Sequence, residues 1–453
     1  MWRTAWRSRQ PFDGLSNEWG RLCNSFSQRL DDVPSDRSLC EALMKLVAVA
    51  DEASESVGAP VDEEADKDDP LLSVASECLT NLGTLCWEID RTRLTVLPRM
   101  HTPQNGFTDR SLSLYLSMRD PSEVTPKWLS TPFIQRDSIN LLLIPWPLDV
   151  LPSQFHDVTS SATAELPEDF GFFTYQPEEA NPADLVDALF RQASQRLGRI
   201  DGVILPELAM TGQQFEFIKE QLPPDCFLVS GVGGAAGASQ RGTNEVRLSF
   251  PWLDEVVQKK HHPWRLNEAQ IVQYGLGGVL WPSRGWWEHA DFSDRCLNFI
   301  SMSADLVLCA LICEDLARPD PVADLVRTVG PNLVIALLMD GPQTKERWAA
   351  RYATVLAEDP GCSVLSLTSL GMAQLSRPQT GPSRSRVIAL WKDALAGATE
   401  IELPVGYDAI AVSLSIKYAE EYTADGRGDE FSAAFPRLSG VHAIRVAETN
   451  KSR

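Results

Sequence analysis

Short, continuously apolar runs that alternate with amphipathic segments constrain the fold of this chain more than any other feature. SINLLLIPW, which begins at Ser138, and VILPE, which ends at Glu207, have the length of strands and no polar alternation. Such runs are expected for strands that are covered on both faces. Further runs of this kind are CFLVSGV, NEVRLSFPWL, DLVLCALIC, NLVIALLM, CSVLSLTSL and AIAVSLSI.

Helical segments separate several of these runs. NPADLVDALFRQASQRLG has Asn181 as its expected N-cap, Pro182 in the first turn and Gly198 at its end. ERWAARYATVLAE carries Trp348 and Leu356 at helical spacing. Strands that alternate with helices in this way predict α/β layers.

The N-terminal part of the chain has a different pattern. Apolar residues recur three or four positions apart in three segments: 15–30, 38–50 and 71–88. The acidic stretch at about 51–70, DEASESVGAPVDEEADKDDP, nearly lacks large apolar groups and predicts a solvated loop. We therefore expect a small helical domain over 1–135 and a second domain over 136–453.

The composition excludes several classes of function. Arg and Lys total 41 against 62 Asp and Glu, which gives the 453-residue chain a formal net charge of −21. Such a chain is a poor general ligand for nucleic acid, so no direct nucleic-acid binding is expected. No apolar run reaches the length of a membrane helix, and MWRTAWRSRQPFD is not the pattern of a secretory signal. Nine cysteines without paired spacing indicate reduced thiols, which favours a cytoplasmic location.

Three strand ends carry reactive side chains. VILPELAMTG presents Glu207, QKKHHPWRLNE contains two adjacent lysines and Glu268, and LICEDLARP presents Cys313. A cysteine at such a position can be a nucleophile, a metal ligand or a packing residue, and by itself it most often packs. His261 and His262 have no second Cys/His cluster to complete a metal site, so we expect no metal.

These three motifs, in this order, resemble those of the nitrilase (carbon–nitrogen hydrolase) superfamily. PELAMTG resembles the strand-end glutamate motif of that family, and ICEDLARP resembles its cysteine motif in the form found in amide-hydrolysing glutaminase domains. In the lysine motif, a histidine follows at +2 and a glutamate at +8. Lys260 has His262 and Glu268 at these positions, whereas Lys259 has Asn267 at +8. Lys260 is therefore the assigned lysine, with Lys259 in reserve, and the resemblance covers about 138–418.

The resemblance implies a four-layer α-β-β-α sandwich that hydrolyses a non-peptide carbon–nitrogen bond in an amide, a nitrile or a carbamoyl compound. Cys313 would be the nucleophile that forms a thioester, Glu207 the general base, and Lys260 the charged donor to the oxyanion. The backbone N–H of Glu314 would be the second oxyanion donor, and Glu268 would orient Lys260 or the substrate. The lysine is also expected to favour the thiolate. No cofactor is implied, and a homodimer or higher homo-oligomer is expected.

Two parts of the chain depart from the simplest family members. The helical domain suggests regulation, assembly or a protein partner. The insertion at 269–305 contains Trp281, Trp286 and Trp287, which would line the acyl pocket or face a neighbouring subunit. We assign Trp287 and His262 to substrate binding. The alternative function is a catalytically silent or partner-dependent module that keeps the fold within a larger assembly.

Overall fold

The computed structural model describes fifteen segments of the chain: 13–25, 35–54, 94–96, 116–118, 124–131, 137–161, 167–177, 180–234, 241–293, 295–303, 306–318, 324–358, 360–376, 384–419 and 433–446. The chain divides into two compact units. One unit comprises Met1–Asp120 with Tyr418–Ala433, and the other comprises Pro121–Lys417 with Ala434–Arg453. The helix predicted over 71–88 and residues 55–70 of the acidic loop lie outside the described residues.

The secondary structure is numbered here in chain order. The helices are α1 Asp13–Asn24, α2 Arg37–Ser54, α3 Ala183–Leu197, α4 Gly212–Gln221, α5 Glu268–Gln273, α6 Asp324–Val329, α7 Trp348–Glu358 and α8 Leu370–Leu375. The first ten strands are β1 Leu94–Val96, β2 Leu116–Met118, β3 Thr125–Ser130, β4 Ser138–Leu143, β5 Phe155–Asp157, β6 Phe170–Tyr175, β7 Gly202–Met210, β8 Phe227–Gly234, β9 Thr243–Ser249 and β10 Val256–Lys259. The others are β11 Arg265–Leu266, β12 Gly285–Glu288, β13 Cys296–Ser301, β14 Val307–Ile312, β15 Leu333–Leu338, β16 Ser363–Thr368, β17 Val387–Lys392, β18 Thr399–Glu402, β19 Ala409–Ala419 and β20 Ala433–Ile444. Short 3₁₀ turns span Pro152–Gln154, Thr159–Ser161 and Cys313–Ala317.

Two seven-stranded sheets organise the larger unit. Sheet 1 has the order β10-β9-β8-β7-β4-β19-β20, and sheet 2 has the order β18-β17-β16-β15-β14-β13-β3. The central strands run parallel: β4, β7 and β8 in sheet 1, and β14, β15 and β16 in sheet 2. Every residue of β14, β15 and β16 is buried, as the continuous apolar runs predict for strands covered on both faces.

Helices cover the outer faces of the sheets, and the inner faces of the sheets meet. In sheet 1, Leu142 and Leu205 pack with Leu189 of α3 and Phe215 of α4 in one apolar core. In sheet 2, α7 contacts β16 and β17. Between the sheets, the Gln258 side chain donates to the Ala310 carbonyl at 2.9 Å and accepts the N–H of Asn298 at 2.9 Å. The four-layer α-β-β-α sandwich expected from the sequence is therefore confirmed.

A third, four-stranded sheet lies beside the sandwich. Its order is β11-β12-β6-β5, and it is built partly from the segment that the sequence analysis treated as an insertion. Trp286 and Tyr274 from this segment, with Trp264 just before it, share a buried apolar cluster with Met339, which follows β15, and Leu208 of β7. The segment therefore packs against the strand ends where reactive side chains were predicted.

The described part of the smaller unit contains two of the three predicted helices and a pair of strands that was not predicted. Asp36 caps α2, since its Oδ1 accepts the N–H groups of Ser38 and Leu39 at 3.1 and 3.0 Å. Strands β1 and β2 pair antiparallel, which the helical pattern of this region did not predict.

Strand β3, at Thr125–Ser130, pairs with β13 of sheet 2, so the sandwich begins before the expected boundary at residue 135. Among the described residues, no helix is long and apolar enough to cross a membrane.

Candidate active site

Glu207 lies at an irregularity in the centre of sheet 1. The register of β7 against β8 shifts between Leu205 and Met210, and Leu208 has a φ of 52°. This bulge re-aims the Glu207 side chain, which is the usual effect of such irregularities next to active sites. A Cβ at Gly231 of β8 would lie 2.4 Å from the Glu207 Cα. Only glycine therefore allows the two backbones to approach in this way.

Lys260 follows β10 and is almost fully buried, with 1% of its surface exposed. Its ammonium donates to Glu207 Oε1 and to Glu288 Oε2, each at 2.7 Å. The amide of Asn244 bridges the same two carboxylates from the other side, at 2.8 and 2.6 Å. The Trp264 N–H donates to Glu288 Oε2 at 2.9 Å. The ammonium is thus held between two carboxylates by buried neighbours, as a buried charge requires.

Cys313 lies directly after β14 of sheet 2, at the start of a 3₁₀ turn, and is buried. Its φ of 44° is in the left-handed region, which is uncommon for a residue with a side chain. The Met339 N–H, directly after the neighbouring strand β15, donates to Glu207 Oε2 at 2.7 Å and also lowers the pKa of the Cys313 thiol. One backbone amide therefore acts on both the predicted base and the predicted nucleophile.

The pKa values of Glu207, Lys260 and Cys313 are all raised. Burial raises the pKa of Glu207, and the nearby Glu288 adds to the rise against the opposing effect of Lys260. Burial lowers the pKa of Lys260, but Glu207, Glu288 and Cys313 outweigh burial and hold it well above its ordinary value. Burial and Glu207 raise the pKa of Cys313 well above its usual range, although Lys260 and the Met339 N–H oppose them.

These shifts correct one expectation from the sequence. The lysine was expected to favour the thiolate of Cys313, and its charge does lower the thiol pKa. Burial and the Glu207 carboxylate have the larger effect, so the resting group is a protonated thiol beside a base whose pKa is raised. The proton then has to leave the sulfur as the sulfur attacks.

Asp315 ties the loop after Cys313 to the loop after Lys260. Its Oδ1 accepts the N–H of His262 at 3.0 Å, and its Oδ2 accepts the N–H of His261 at 3.1 Å. The His261 ring in turn lies 3.0 Å, through Nε2, from the Cys296 carbonyl. Asp315 and His261 are both buried, so these bonds fix the lysine loop of sheet 1 against the cysteine loop of sheet 2.

The structure brings together three of the residues selected from the sequence, Glu207, Lys260 and Cys313. Lys259 points away and pairs with Asp291 at 2.6 Å. The Glu314 side chain pairs with Arg318 at 2.5 Å, and its backbone N–H is the one that follows Cys313. His262 is half-buried, and its N–H is held by Asp315.

The structure does not bring Glu268 to this cluster. Asn267 caps α5 by accepting the Gln270 N–H at 3.0 Å, which leaves Glu268 exposed in the first helical turn. The second carboxylate that contacts Lys260 belongs to Glu288, which the sequence analysis did not select. The capping pattern N-x-x-Q is visible in the sequence and would have placed Glu268 toward solvent.

Trp287 also lies away from the buried cluster. Its ring stacks on Phe170, with ring centroids 6.3 Å apart, and the Arg265 guanidinium lies 5.4 Å from its centroid. The neighbouring Trp286 is fully buried, since successive side chains on a strand point to opposite faces. The Glu288 carboxylate instead accepts the backbone N–H of Trp264, a residue that was not selected from the sequence.

No group of three or more His, Cys, Asp or Glu side chains within the described segments is arranged to hold a metal ion. The cluster instead contains a thiol, an ammonium and two carboxylates, which together can attack a carbonyl carbon, move one proton and stabilise negative charge.

No protein-family model matches this sequence, and no curated protein sequence matches it either. The chain is similar to solved structures of the nitrilase superfamily. An amidase of that superfamily from Nesterenkonia is 14% identical with a TM-score of 0.39, and the match covers 62% of this chain and 93% of the amidase. A branch 10 member from Saccharomyces cerevisiae is 12% identical with a TM-score of 0.37, covering 62% and 90% of the two chains. A glutamine-dependent NAD⁺ synthetase from Acinetobacter baumannii is 10% identical with a TM-score of 0.33, covering 69% and 48%.

Proposed function

We propose that this protein hydrolyses the carbon–nitrogen bond of a small amide through a thioester on Cys313. The observation that carries the proposal is the buried contact between groups from two sheets. Glu207 and Lys260 from sheet 1 lie 2.7 Å apart, and the Met339 N–H, at the end of β15 in sheet 2, donates to Glu207 at 2.7 Å and lowers the pKa of the strained Cys313. A buried ammonium with two carboxylates is costly to keep as packing alone, which favours a catalytic role.

In the first half of the reaction, the Cys313 sulfur forms a bond to the amide carbon while its proton moves to Glu207. The carbonyl oxygen becomes an oxyanion, which accepts hydrogen bonds from Lys260 and from the Glu314 backbone N–H. The carbon–nitrogen bond then breaks, and Glu207 returns the proton to the leaving nitrogen. An unsubstituted amide thus releases ammonia and leaves an acyl group on sulfur.

In the second half, water attacks the thioester carbon while Glu207 accepts a proton from the water. The carbon–sulfur bond breaks, the carboxylic acid leaves, and the thiol is regenerated with the proton from Glu207. Glu288 holds the ammonium in place and balances its charge throughout, since it accepts from Lys260 at 2.7 Å. In the same site, the Cys313 sulfur would add to the carbon of a nitrile. A panel of substrates distinguishes amide hydrolysis from nitrile hydrolysis.

The test compares Cys313→Ala with Cys309→Ala, a buried cysteine four residues earlier, on β14. A panel of amides, carbamoyl compounds and nitriles is screened for ammonia release, and acylated protein is sought by intact mass. We expect Cys313→Ala to lose at least about 10⁴-fold in turnover, as for other nucleophile deletions. Cys309→Ala should keep its activity and lose about 1 kcal/mol of stability as a buried substitution.

Two outcomes would contradict this function. Full activity in folded Cys313→Ala would show that the cysteine only packs. A folded wild-type protein that releases ammonia from no compound in the panel and accumulates no acyl adduct would favour the catalytically silent module.

A further inference from the structure

The two oxygens of the Glu207 carboxylate have different hydrogen-bond partners. Oε1 accepts the Lys260 ammonium at 2.7 Å and the Asn244 side-chain amide at 2.8 Å. Oε2 accepts the Met339 N–H at 2.7 Å, and among the described residues it has no second donor. Each carboxylate oxygen has about two lone-pair positions for hydrogen bonds. The donors therefore occupy Oε1 fully and leave one acceptor position open on Oε2.

The open position lies on the side of the predicted nucleophile. The Met339 N–H that donates to Oε2 also lowers the pKa of the Cys313 thiol through a hydrogen bond. Because such bonds act only over short distances, Oε2 and the sulfur lie next to the same donor. Oε2 is thus the oxygen of Glu207 that can take the proton from the thiol.

Asn244 is the residue that gives the two oxygens their different surroundings. It lies in β9 and is 2% exposed, and its backbone carbonyl accepts the Lys260 N–H at 3.0 Å. Its Nδ2 donates to Glu207 Oε1 at 2.8 Å and to Glu288 Oε1 at 2.6 Å, so both of its hydrogens are used. The reverse orientation of the amide is disfavoured, because its oxygen would then face two carboxylates.

The other end of the same amide favours a role in the site over a role in packing. Asn244 Oδ1 is buried, and within the described segments it has no hydrogen-bond donor. An unpaired buried acceptor costs stability, and most buried polar groups are paired. Leucine has a similar shape and would avoid this cost. The two N–H groups are therefore what the Asn244 side chain contributes here.

We propose that Asn244 is a positioning residue that makes Oε2 the proton-accepting atom of Glu207. This inference rests on the proposed amide hydrolysis. Together with Lys260, the amide occupies Oε1, fixes the plane of the carboxylate and favours its ionised form. The thiol proton moves to Oε2 while the Cys313 sulfur bonds to the substrate carbon, and Oε2 then returns the proton to the leaving nitrogen. Asn244 acts on this reaction only through Glu207.

The charged and titratable groups that face Glu207 come from several elements. Lys260 follows β10, Glu288 lies in β12, and Cys313 follows β14. Burial and the charge of Glu288 raise the pKa of Glu207, whereas Lys260 and the Asn244 hydrogen bond lower it. Removing the Asn244 donor should therefore raise this pKa further, and protonated Glu207 cannot accept the thiol proton.

The experiment compares Asn244→Leu with Asn298→Leu. Both asparagines are 2% exposed, but Asn298 donates to the neutral Gln258 side chain at 3.2 Å. We measure kcat and KM against pH for an amide from the substrate panel. In Asn244→Leu, the midpoint of the acid side of the kcat/KM profile should rise by about 1–2 pH units, the value of one hydrogen bond to a charged group. At the plateau, kcat should fall more than KM changes, because Asn244 does not contact the substrate.

The control should lose stability without moving the midpoint, because Asn298 donates to no carboxylate of the site. Where Asn244→Leu does not fold, Asn244→Ser keeps one hydroxyl donor and should give a smaller shift in the same direction. Both asparagine variants keep the backbone carbonyl that accepts the Lys260 N–H, so they test the side chain alone.

A second measurement needs no substrate. Iodoacetamide alkylates a thiol: the sulfur–carbon bond forms, iodide leaves, and here the proton of Cys313 moves to Glu207. The rate at Cys313, located by tandem mass spectrometry, should have the same pH midpoint as kcat/KM in the wild-type protein. Asn244→Leu should move that midpoint upward as well.

The outcomes separate this inference from the proposed hydrolysis. A shifted alkylation midpoint in Asn244→Leu, with no ammonia released from any amide by the wild-type protein, would support the action of Asn244 on Glu207 and contradict the hydrolysis alone. Normal ammonia release by the wild-type protein, with Asn244→Leu slower by one factor at every pH, would overturn the inference alone. An equal shift of the midpoint in Asn298→Leu would overturn it as well.

Discussion

Two groups of charged residues in the sandwich have similar composition and opposite surroundings. The buried group contains Lys260 between Glu207 and Glu288, with bonds of 2.7 Å to each. The surface group contains Lys219 between Glu216 and Glu255, with bonds of 2.5 and 2.8 Å. Each has one ammonium shared by two carboxylates, but Lys260 is 1% exposed and Lys219 is 30% exposed.

The difference shows in the pKa of the glutamates. Burial raises the pKa of Glu207 despite the ammonium beside it. In the surface group, hydrogen bonds with Glu255 and Lys219 lower the pKa of the more exposed Glu216, whereas burial raises the pKa of the less exposed Glu255. A lysine between two carboxylates is thus not a catalytic signature by itself. In the proposed mechanism, it is the burial of Glu207 and Lys260 that makes them a base and a charged donor.

Removing the ammonium from each group should give the largest contrast. Lys260→Met leaves two buried carboxylates without their cation, so we expect a loss of about 3–5 kcal/mol of unfolding free energy. The same change removes the charged oxyanion donor and should lower turnover by about 10³-fold. Lys219→Met should cost about 1 kcal/mol or less, as for an exposed pair. Urea unfolding and ammonia release measure both effects.

Equal stability losses in Lys260→Met and Lys219→Met would contradict this comparison. Normal turnover in a folded Lys260→Met protein would remove the lysine from the mechanism. Where the variant fails to fold, Lys260→Arg keeps the charge but not the shape, and it should fold with strongly reduced turnover.

The second prediction concerns which glutamate supports Lys260. The Glu288 carboxylate accepts hydrogen bonds from Lys260, Asn244 and the backbone N–H of Trp264. Glu288→Gln would remove its charge and replace one acceptor oxygen with an amide group that cannot accept from these donors. We expect turnover to fall by about 10²-fold, the size of a lost charge contact at an active site. Glu268→Gln, on the exposed first turn of α5, should change turnover less than about twofold, as do most surface substitutions.

Steady-state kinetics of the two glutamine variants, at matched thermal stability, separate these positions. If Glu268→Gln has the strong effect and Glu288→Gln the weak one, Glu268 is the glutamate that supports Lys260, as the motif spacing predicts.

The smallest expected effect is on the pH dependence. Glu207 has to be ionised to accept the thiol proton, so kcat/KM should fall as pH drops and Glu207 becomes protonated. Because burial raises its pKa, the midpoint of this fall should lie above the ordinary glutamate value of about 4.3. The raised pKa of Lys260 keeps its charge through neutral pH, so we expect no loss from this group below about pH 10.

A pH series of kcat/KM on an amide from the panel measures the midpoint. Glu288→Gln removes one of the charges that raise the Glu207 pKa and should move the midpoint to lower pH, whereas Glu216→Gln in the surface group should not move it. A midpoint at or below the ordinary glutamate value would show that Glu207 is solvated in the working enzyme.

The sequence predicts those parts of the site that follow directly from strands. An apolar run precedes Glu207 and Cys313, and strand β10 precedes Lys260, so a local pattern in the sequence predicts the position of each. Glu288 has no such pattern, because it reaches Lys260 through a separate sheet and from 28 residues further along the chain. The +8 spacing from Lys260 favoured Glu268 as the supporting carboxylate. Because Asn267 is the N-cap of α5, Glu268 instead lies in the exposed first turn of that helix.

The same reasoning explains what was missed in the fold. Strand β3 is only six residues long and half exposed, and its TPKWLS sequence contains a proline that weakens the strand signal. Its place at the edge of sheet 2 depends on pairing with β13, some 170 residues later. The side sheet likewise depends on a parallel pairing between β6 and β12 that no local window contains.

The reactive groups come from two different sheets, so the site is complete only when those sheets have docked. Neither sheet holds both the base and the nucleophile, and the cross-links through Asp315 and Gln258 exist only when the inner faces are in register. A chain with one sheet formed, or with the faces slipped by a residue, would carry a cysteine that is separated from Glu207 and Lys260. In the proposed mechanism, catalysis therefore requires that the two sheets have docked in the correct register.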